Sequence, residues 1–502
     1  MHTVIKMISG TLCSRLLGFL RDIAFFAILG SSLEASAFLI AFSIPNLFRR
    51  LCGEGALSSA FIPVFAQRYV QNPQTINSFL NAFFTRFGVY LGCSILIIML
   101  ILALTHNYLS NTKWATVLYL TNAMLPYLWF ICVAALLNGA LNVLNAFSLT
   151  ALSPVFLNLT MLAGLFFCSF YEDPLKKVSI VSVFVILGGV LQWILPKIQL
   201  QKKGYPLQTF FWASDPDLKQ IWLLFLPSVL GAAIFQINAM LGRFFAYILD
   251  THAVSFLYLA NRFLELPLGL FAFAIISIIL PKLSLYIAQQ DKNDAKKILS
   301  QGINLLLLLL IPAAIGLFIL AQPILDLCFC WGNFSHNDVK QVVPLLQIFT
   351  MGLPLFGLTS LLTRVFHAHK DTITPVKLSF ITLTIYIITV ICCVPFFRIN
   401  SLALASVLST FVQLILQIKL IYHRYDFYHL KISHFFYKKW YIFLLYAFAL
   451  FQISHHCIWT QQKLHDVLQI AYFIILGIVI YAILLRIFDK KAFKSLIKLE
   501  LY

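Results

Sequence analysis

Residues 303–321 read INLLLLLLIPAAIGLFILA, nineteen positions with no charged side chain. Coiled as an α-helix, this run extends about 28 Å, close to the roughly 30 Å thickness of a bilayer's hydrocarbon core. In that medium a helix satisfies its own backbone donors and acceptors, so such a run reads as a membrane span. Similar segments recur from end to end, punctuated by Pro, Gly, Asn and charged clusters, and they number about fourteen. Among them are Leu33 to Gln67, Ala253 to Ile287 and, around the quoted run, Ala295 to Ala321. The fold class that follows is an all-α polytopic membrane protein.

Composition agrees. Of 502 residues, 61% are hydrophobic and 11% charged, where a soluble domain carries roughly a quarter charged. The mean hydropathy is +0.90. A soluble globular enzyme is excluded. The net charge of +18 would raise the question of nucleic acid in a soluble chain, but no basic module interleaved with aromatics is present, and nucleic acid is not an expected partner. Basic residues gather instead in alternate loops: Lys197, Lys202 and Lys203; Lys292, Lys296 and Lys297; Lys431, Lys438 and Lys439; and the tail Lys490, Lys491, Lys494 and Lys498. Such loops stay cytoplasmic, against anionic lipid headgroups, so both termini are expected on that side. The opening stretch to Gly30 carries Lys6, Arg15, Arg21 and Asp22 without a small-residue cleavage site. It reads as a retained helix, not a signal peptide.

The chain repeats itself. Phe38-Leu39 returns as Phe256-Leu257, Phe61-Ile62-Pro63 as Ile279-Leu280-Pro281, and Phe25-Phe26-Ala27 as Phe244-Phe245-Ala246. Thr150 to Val155, ending Ser-Pro-Val, returns as Thr372 to Val376, ending Thr-Pro-Val. The offset stays near ~220 and the order is kept, which implies duplication. Two pseudo-symmetric six-helix lobes, residues 1–203 and 204–430, are expected to flank a central cavity. A helix pair with a basic tail, 431–502, follows them. Six helices return the chain to its starting side, so the pseudo-symmetry axis is expected along the membrane normal.

Charges inside these apolar helices are the functional clue. Helix 1 holds Arg15, Arg21 and Asp22; helix 2 holds Arg49, Arg50 and Glu54; helix 8 holds Arg262 and Glu265. Each mid-membrane Arg costs roughly 2.5 to 3.5 kcal/mol on insertion scales unless it is compensated. One compensation is local pairing: Arg50 with Glu54, Arg262 with Glu265, and Arg21 or Arg15 with Asp22. The other is a polar cavity, and because arginines outnumber carboxylates in the set, such a cavity would take an anionic guest. Guanidinium forks suit phosphate oxygens, and several of them suit a diphosphate better than a single carboxylate. Arg15 and Arg21 lie about 120° apart around an ideal helix, so both can border one cavity if Gly18 permits a bend. Pro45 and Pro267 occupy matching regions of the two lobes, where each kinks or breaks the backbone ladder.

Catalysis lacks its parts: no nucleophile with a base, phosphate-cradling loop or metal-ligand spacing is present, so no enzyme activity, cofactor or metal is expected. Ten cysteines are scattered without disulfide or zinc spacing. Only Cys328 and Cys330, before Trp331-Gly332 in an expected external loop, merit a test for oxidation.

The residues also carry a resemblance. Ser14-Arg15-Leu16-Leu17-Gly18-Phe19-Leu20-Arg21-Asp22, then Ala37-Phe38 and Pro45-Asn46-Leu47-Phe48-Arg49-Arg50 with Glu54-Gly55-Ala56, closely resemble the start of the MurJ (MviN) family. Later landmarks keep the order: Ser153-Pro154-Val155 with Asn158, Gln236-Ile237-Asn238, Ala260-Asn261-Arg262 with Glu265-Leu266-Pro267, and Asp371-Thr372 with Thr374-Pro375-Val376. The resemblance implies a lipid II flippase of the multidrug/oligosaccharidyl-lipid/polysaccharide exporter superfamily in a bacterial inner membrane. Such a protein moves the undecaprenyl-diphosphate-linked peptidoglycan precursor from the cytoplasmic to the periplasmic leaflet. It implies Arg15, Arg21, Arg49 and Arg262 as substrate-binding residues, a groove along the last two helices for the lipid tail, and lipid II, membrane lipids and other cell-wall synthesis proteins as partners. An exporter of another lipid-linked saccharide, or of a drug, is the alternative on the same fold. Ser36, Ser43, Gly242 and Tyr386 depart from the family pattern, the last two at positions linked to sodium in some members, so no bound ion is expected.

Overall fold

The computed structural model describes residues 2–49, 51, 56–144, 146, 148–208, 211–212, 215–425, 432–456 and 463–493. Among these residues there is no β-strand. The helices run α1 (His2–Leu29), α2 (Leu33–Arg49), α3 (Ala56–Gln71), α4 (Ile76–Tyr108), α5 (Trp114–Val143), α6 (Ser148–Cys168), α7 (Pro174–Lys202), α8 (Pro216–Leu249) and α9 (Ala253–Pro267). They continue as α10 (Phe273–Ala288), α11 (Lys292–Ile319), α12 (Ala321–Phe329), α13 (His336–Ala368), α14 (Ile373–Phe397), α15 (Asn400–Tyr425), α16 (Ile432–His456) and α17 (Lys463–Phe488). With α2/α3 and α9/α10 each taken as one interrupted span, and α12 too short to cross, these seventeen described helices follow the expected fourteen spans. Nine candidate spans among the described residues are long and apolar enough to cross a membrane on those grounds alone.

Two segments differ from the sequence expectation. The helix expected from Ala253 to Ile287 passes through a π-helical turn, Leu268–Ala272, directly after Pro267. A proline removes one donor from the ladder, and a widened turn is a common accommodation. The expected external loop at Cys328 and Cys330 is largely helix: Cys328 lies in α12 and Cys330 caps it, both as free thiols. Pro45, by contrast, sits within α2, and α1 is continuous through Gly18.

Helix starts follow local chemistry. Asp173 precedes Pro174 and accepts from the Leu175 amide, and Asp215 precedes Pro216 and accepts from the Asp217 amide. Ser335 and Asp338 form a reciprocal capping box at the start of α13. In lipid, serine and threonine hydroxyls return to the carbonyl one turn back, as Ser182 does to Val178 and Thr382 to Leu378, which hides their polarity from the bilayer.

The chain packs as two compact units, one comprising Met1–Ser255 with Trp331–Phe334, the other Phe256–Cys330 with Ser335–Tyr502. The packing boundary falls inside α9, not after residue 203 where the sequence repeat leads one to expect a lobe to end, and α8 packs on α3. In the first unit, α7 lies against α5 and α6. Close approach there depends on small residues, the usual basis of helix association in lipid. A Cβ on Gly189 would press into the Tyr127 ring and Phe130, and one on Gly188 into Thr160 and Leu157. Gly189→Val is therefore expected to cost about 1–3 kcal/mol or more through overpacking, read as a lowered unfolding temperature of the detergent-solubilised protein, with Gly189→Ala milder.

Within the first unit, the α1–α2 region meets residues 252–255. Ser36 and Ser255 share a buried hydroxyl–hydroxyl hydrogen bond of 3.0 Å, and His252 Nδ1 lies 2.6 Å from the Ser31 carbonyl. The described part of the linker between α7 and α8 is tied to α4 and α3. Asn81 of α4 donates to the Pro206 carbonyl and accepts from the Gln208 amide, Thr85 accepts from the Phe211 amide, and Arg68 of α3 grips both Asp215 and Asp217.

In the second unit α13 packs against α11 and α15, and α16 packs against α11 and α17. Gly357 lets α13 close on Leu306 and Leu310 of α11. Tyr481 of α17 donates to the Leu308 carbonyl at 2.7 Å.

Candidate functional site

In the first unit, the arginines sit on α1 and α2. Arg21 and Asp22 are only 11% and 3% exposed and form an ion pair at 2.6 Å. The Arg21 Nε also donates to the same carboxylate oxygen, at 3.1 Å. Its Nη1 donates to Asn158 Oδ1 at 3.0 Å and approaches Met161 Sδ at 3.8 Å, both on α6. Asn158 in turn donates to the Ser14 carbonyl at 3.1 Å. One guanidinium is thus held by acceptors from two helices, with its fork geometry fixed in advance.

Arg15 lies one and two-thirds turns before Arg21 and is exposed. Arg49 ends α2, half-buried, and its Nε lies 3.4 Å from Asn46 Oδ1. Tyr127 of α5 is fully buried in the same unit. Arg50 and Glu54, and therefore the pair expected between them, lie outside the described residues.

In the second unit, Arg262 is half-buried on α9, with Nη1 at 3.9 Å from Glu265 Oε2. Glu265 is 63% exposed, and an exposed pair at that distance contributes at most a fraction of a kcal/mol. The two local pairs are therefore unequal: Arg21 is firmly held by Asp22, while Glu265 restrains Arg262 weakly. Pro267 closes the same helix, two residues after Glu265 and just before the π turn.

Sequence reasoning gave no role to Asn158, although it stands as an isolated amide in an apolar helix next to Ser153-Pro154-Val155. It also gave none to the polar cluster at the start of α14. There Asp371 accepts from the Thr374 amide and hydroxyl at 2.9 and 2.7 Å, from Tyr425 at 3.1 Å and from Arg424 at 3.3 Å. His369 stacks on Tyr425 with ring centroids 3.8 Å apart. Burial pushes the Asp371 carboxyl up, but the Thr374, Tyr425 and Arg424 contacts outweigh it and hold the group below its ordinary 3.8. A carboxylate lowered on folding stabilises above its unfolded pKa and ceases to do so as pH falls through the folded one. Unfolding temperature is expected to fall as pH drops below about 4, and Asp371→Asn should flatten that dependence while lowering stability at neutral pH.

The all-helical fold, with its long apolar helices, defines a polytopic membrane protein. A profile of the family "Lipid II flippase MurJ" matches residues 25–473. A probable lipid II flippase MurJ of Bdellovibrio bacteriovorus is 34% identical over 76% of this chain and 74% of its own length. A namesake from Haemophilus influenzae is 34% identical over 80% and 82%. Among solved structures, a lipid II flippase MurJ in an inward closed conformation superposes with a TM-score of 0.81 at 24% identity, covering 97% of this chain and 99% of the other. An inward-facing multidrug MATE transporter of the MOP superfamily gives 0.66 at 14% identity, covering 85% and 98%. The chain belongs to the lipid II flippase MurJ family.

Proposed function

We propose that this protein carries lipid II from the cytoplasmic to the periplasmic leaflet by alternating access, without chemical conversion. The supporting observation is the set Arg15, Arg21, Arg49 and Arg262, cations placed in otherwise apolar helices. Arg15, Arg21, Arg49 and Arg262 supply donors to the substrate's diphosphate. Asp22 and Glu265 restrain the arginines when substrate is absent, and Glu54 is assigned the same part toward Arg50. Rocking of the repeated lobes, 1–203 and 204–430, about the kinks at Pro45 and Pro267 turns the headgroup outward, and the helix pair within 431–502 carries the lipid tail. Both termini face the cytoplasm, so the basic tail lies against anionic lipid.

Bidentate recognition by several guanidiniums predicts selectivity for a diphosphate. In native mass spectrometry of the detergent-purified protein, undecaprenyl diphosphate and lipid II should compete effectively with each other and displace undecaprenyl monophosphate. Arg49→Ala and Arg262→Ala should each lose this preference. Equal retention of monophosphate and diphosphate by the wild type would contradict the assignment.

A further inference from the structure

Three side chains outside the arginine set meet at the junction of α12 and α13. Asp326 and Cys330 are four residues apart, so the last turn of α12 places them on one face, and the Cys330 amide bonds back to the Asp326 carbonyl at 3.3 Å. His336 is the first residue of α13, fixed there by the Ser335–Asp338 capping box. Its Nδ1 lies 2.6 Å from Asp326 Oδ1. One carboxylate oxygen, one thiol sulfur and one imidazole nitrogen all fall within 4.8 Å of one another, and all three residues are partly buried.

We propose that Asp326, Cys330 and His336 form a binding site for a divalent transition-metal ion of the zinc type. Thiolate, imidazole and carboxylate are the donors zinc takes, at about 2.3, 2.0 and 2.1 Å, and three protein ligands leave a fourth position for water. The thiol excludes magnesium or calcium as the natural occupant, because those ions select oxygen. In a tetrahedral site neighbouring donors stand about 3.5 Å apart, so the metal takes the place of the His336–Asp326 hydrogen bond, opens that contact by roughly 1 Å and releases the Cys330 thiol proton to solvent. Thiolate and carboxylate together balance the dication. Lys463 of α17 donates to the carbonyls of Asp326 and Cys330 at 2.8 and 3.0 Å, fixing the backbone of both ligand-bearing residues. Bound metal would clip α12 to α13 and set the base of the turn that bears Trp331–Phe334.

The test uses the full-length protein in detergent, purified through a histidine-free tag, stripped with chelator and titrated with Co²⁺. Saturable uptake of about one Co²⁺ per chain is expected, displaceable by Zn²⁺, with a thiolate-to-cobalt charge-transfer band and the visible bands of a tetrahedral complex. Cys330→Ser should lose the charge-transfer band and His336→Gln the tetrahedral spectrum, while Cys328→Ser should keep both. Cys330→His, which restores a ligand, should bind Co²⁺ without the thiolate band. Absence of saturable uptake by the wild type overturns the proposal and leaves His336–Asp326 as a hydrogen bond alone. Persistence of the thiolate band in Cys330→Ser, or its loss in Cys328→Ser, also overturns it.

Discussion

Arg21→Ala is expected to slow transport by about tenfold or more and to lower the amount of inserted protein. The second effect comes from Asp22, which is 3% exposed and paired to Arg21 at 2.6 Å. Removing one partner of a buried pair leaves the other uncompensated, at about 3–5 kcal/mol. The two effects separate in Arg21→Ala/Asp22→Asn, which deletes both charges. Insertion should recover, but transport should not, because the charge-assisted hydrogen bonds to the diphosphate are gone. At about 1.5–3 kcal/mol for each such bond, transport should fall by roughly tenfold to a hundredfold or more. Arg21→Lys keeps the charge without the fork and should lie between. Vesicle transport of labelled lipid II, normalised to inserted protein, checks this. Wild-type rates in the double variant would reduce Arg21 to a structural tie between α1 and α6.

Gly332→Ala should loosen the join between residues 331–334 and the end of α1. Gly332 has φ +56, and a Cβ there would collide with the Ala27 carbonyl oxygen. Facing it, Gly30 has φ +63, and its own Cβ would lie 2.7 Å from the Asn333 carbonyl oxygen. Between these glycines, the Asn333 amide donates to Ala27 O at 2.8 Å and Nδ2 donates to Ile28 O at 2.7 Å. These bonds satisfy carbonyls that the last turn of α1 cannot pair internally. A left-handed alanine costs about 1–2 kcal/mol, and the collision adds to that. Amide exchange at Asn333 and in the segment 331–334 should accelerate by about tenfold or more, since each 1.4 kcal/mol of lost protection is a factor of ten. Asn333→Ala, which keeps the backbone bond, should show a smaller change. Unaltered exchange in Gly332→Ala would mean that the turn absorbs a side chain without opening.

The spans were legible because membrane insertion imposes long apolar runs, and the arginines stood out because it makes each exception costly. The Arg21–Asp22 pair could be read for the same reason, since its members are adjacent and nothing else nearby is charged. Asn158 left a weaker trace: an amide in an apolar helix signals a partner but not which one. Nothing in the sequence marked the linker's path along α4, because Asn81, Thr85 and Arg68 recognise backbone carbonyls, amides and aspartates more than a hundred positions away. The helix α12 was hidden because a nine-residue element is too short for periodicity to separate from a loop. Once it forms, Asp326, Cys330 and His336 converge across a turn that no zinc spacing announces.

The most direct measurement is the leaflet distribution of lipid II in the host cell after depletion of this protein. Lipid II should accumulate on the cytoplasmic side, and expression of the wild type should restore its outward movement, while Arg262→Ala at equal membrane levels should not. An unchanged distribution on depletion, or full restoration by Arg262→Ala, would contradict arginine-dependent flipping.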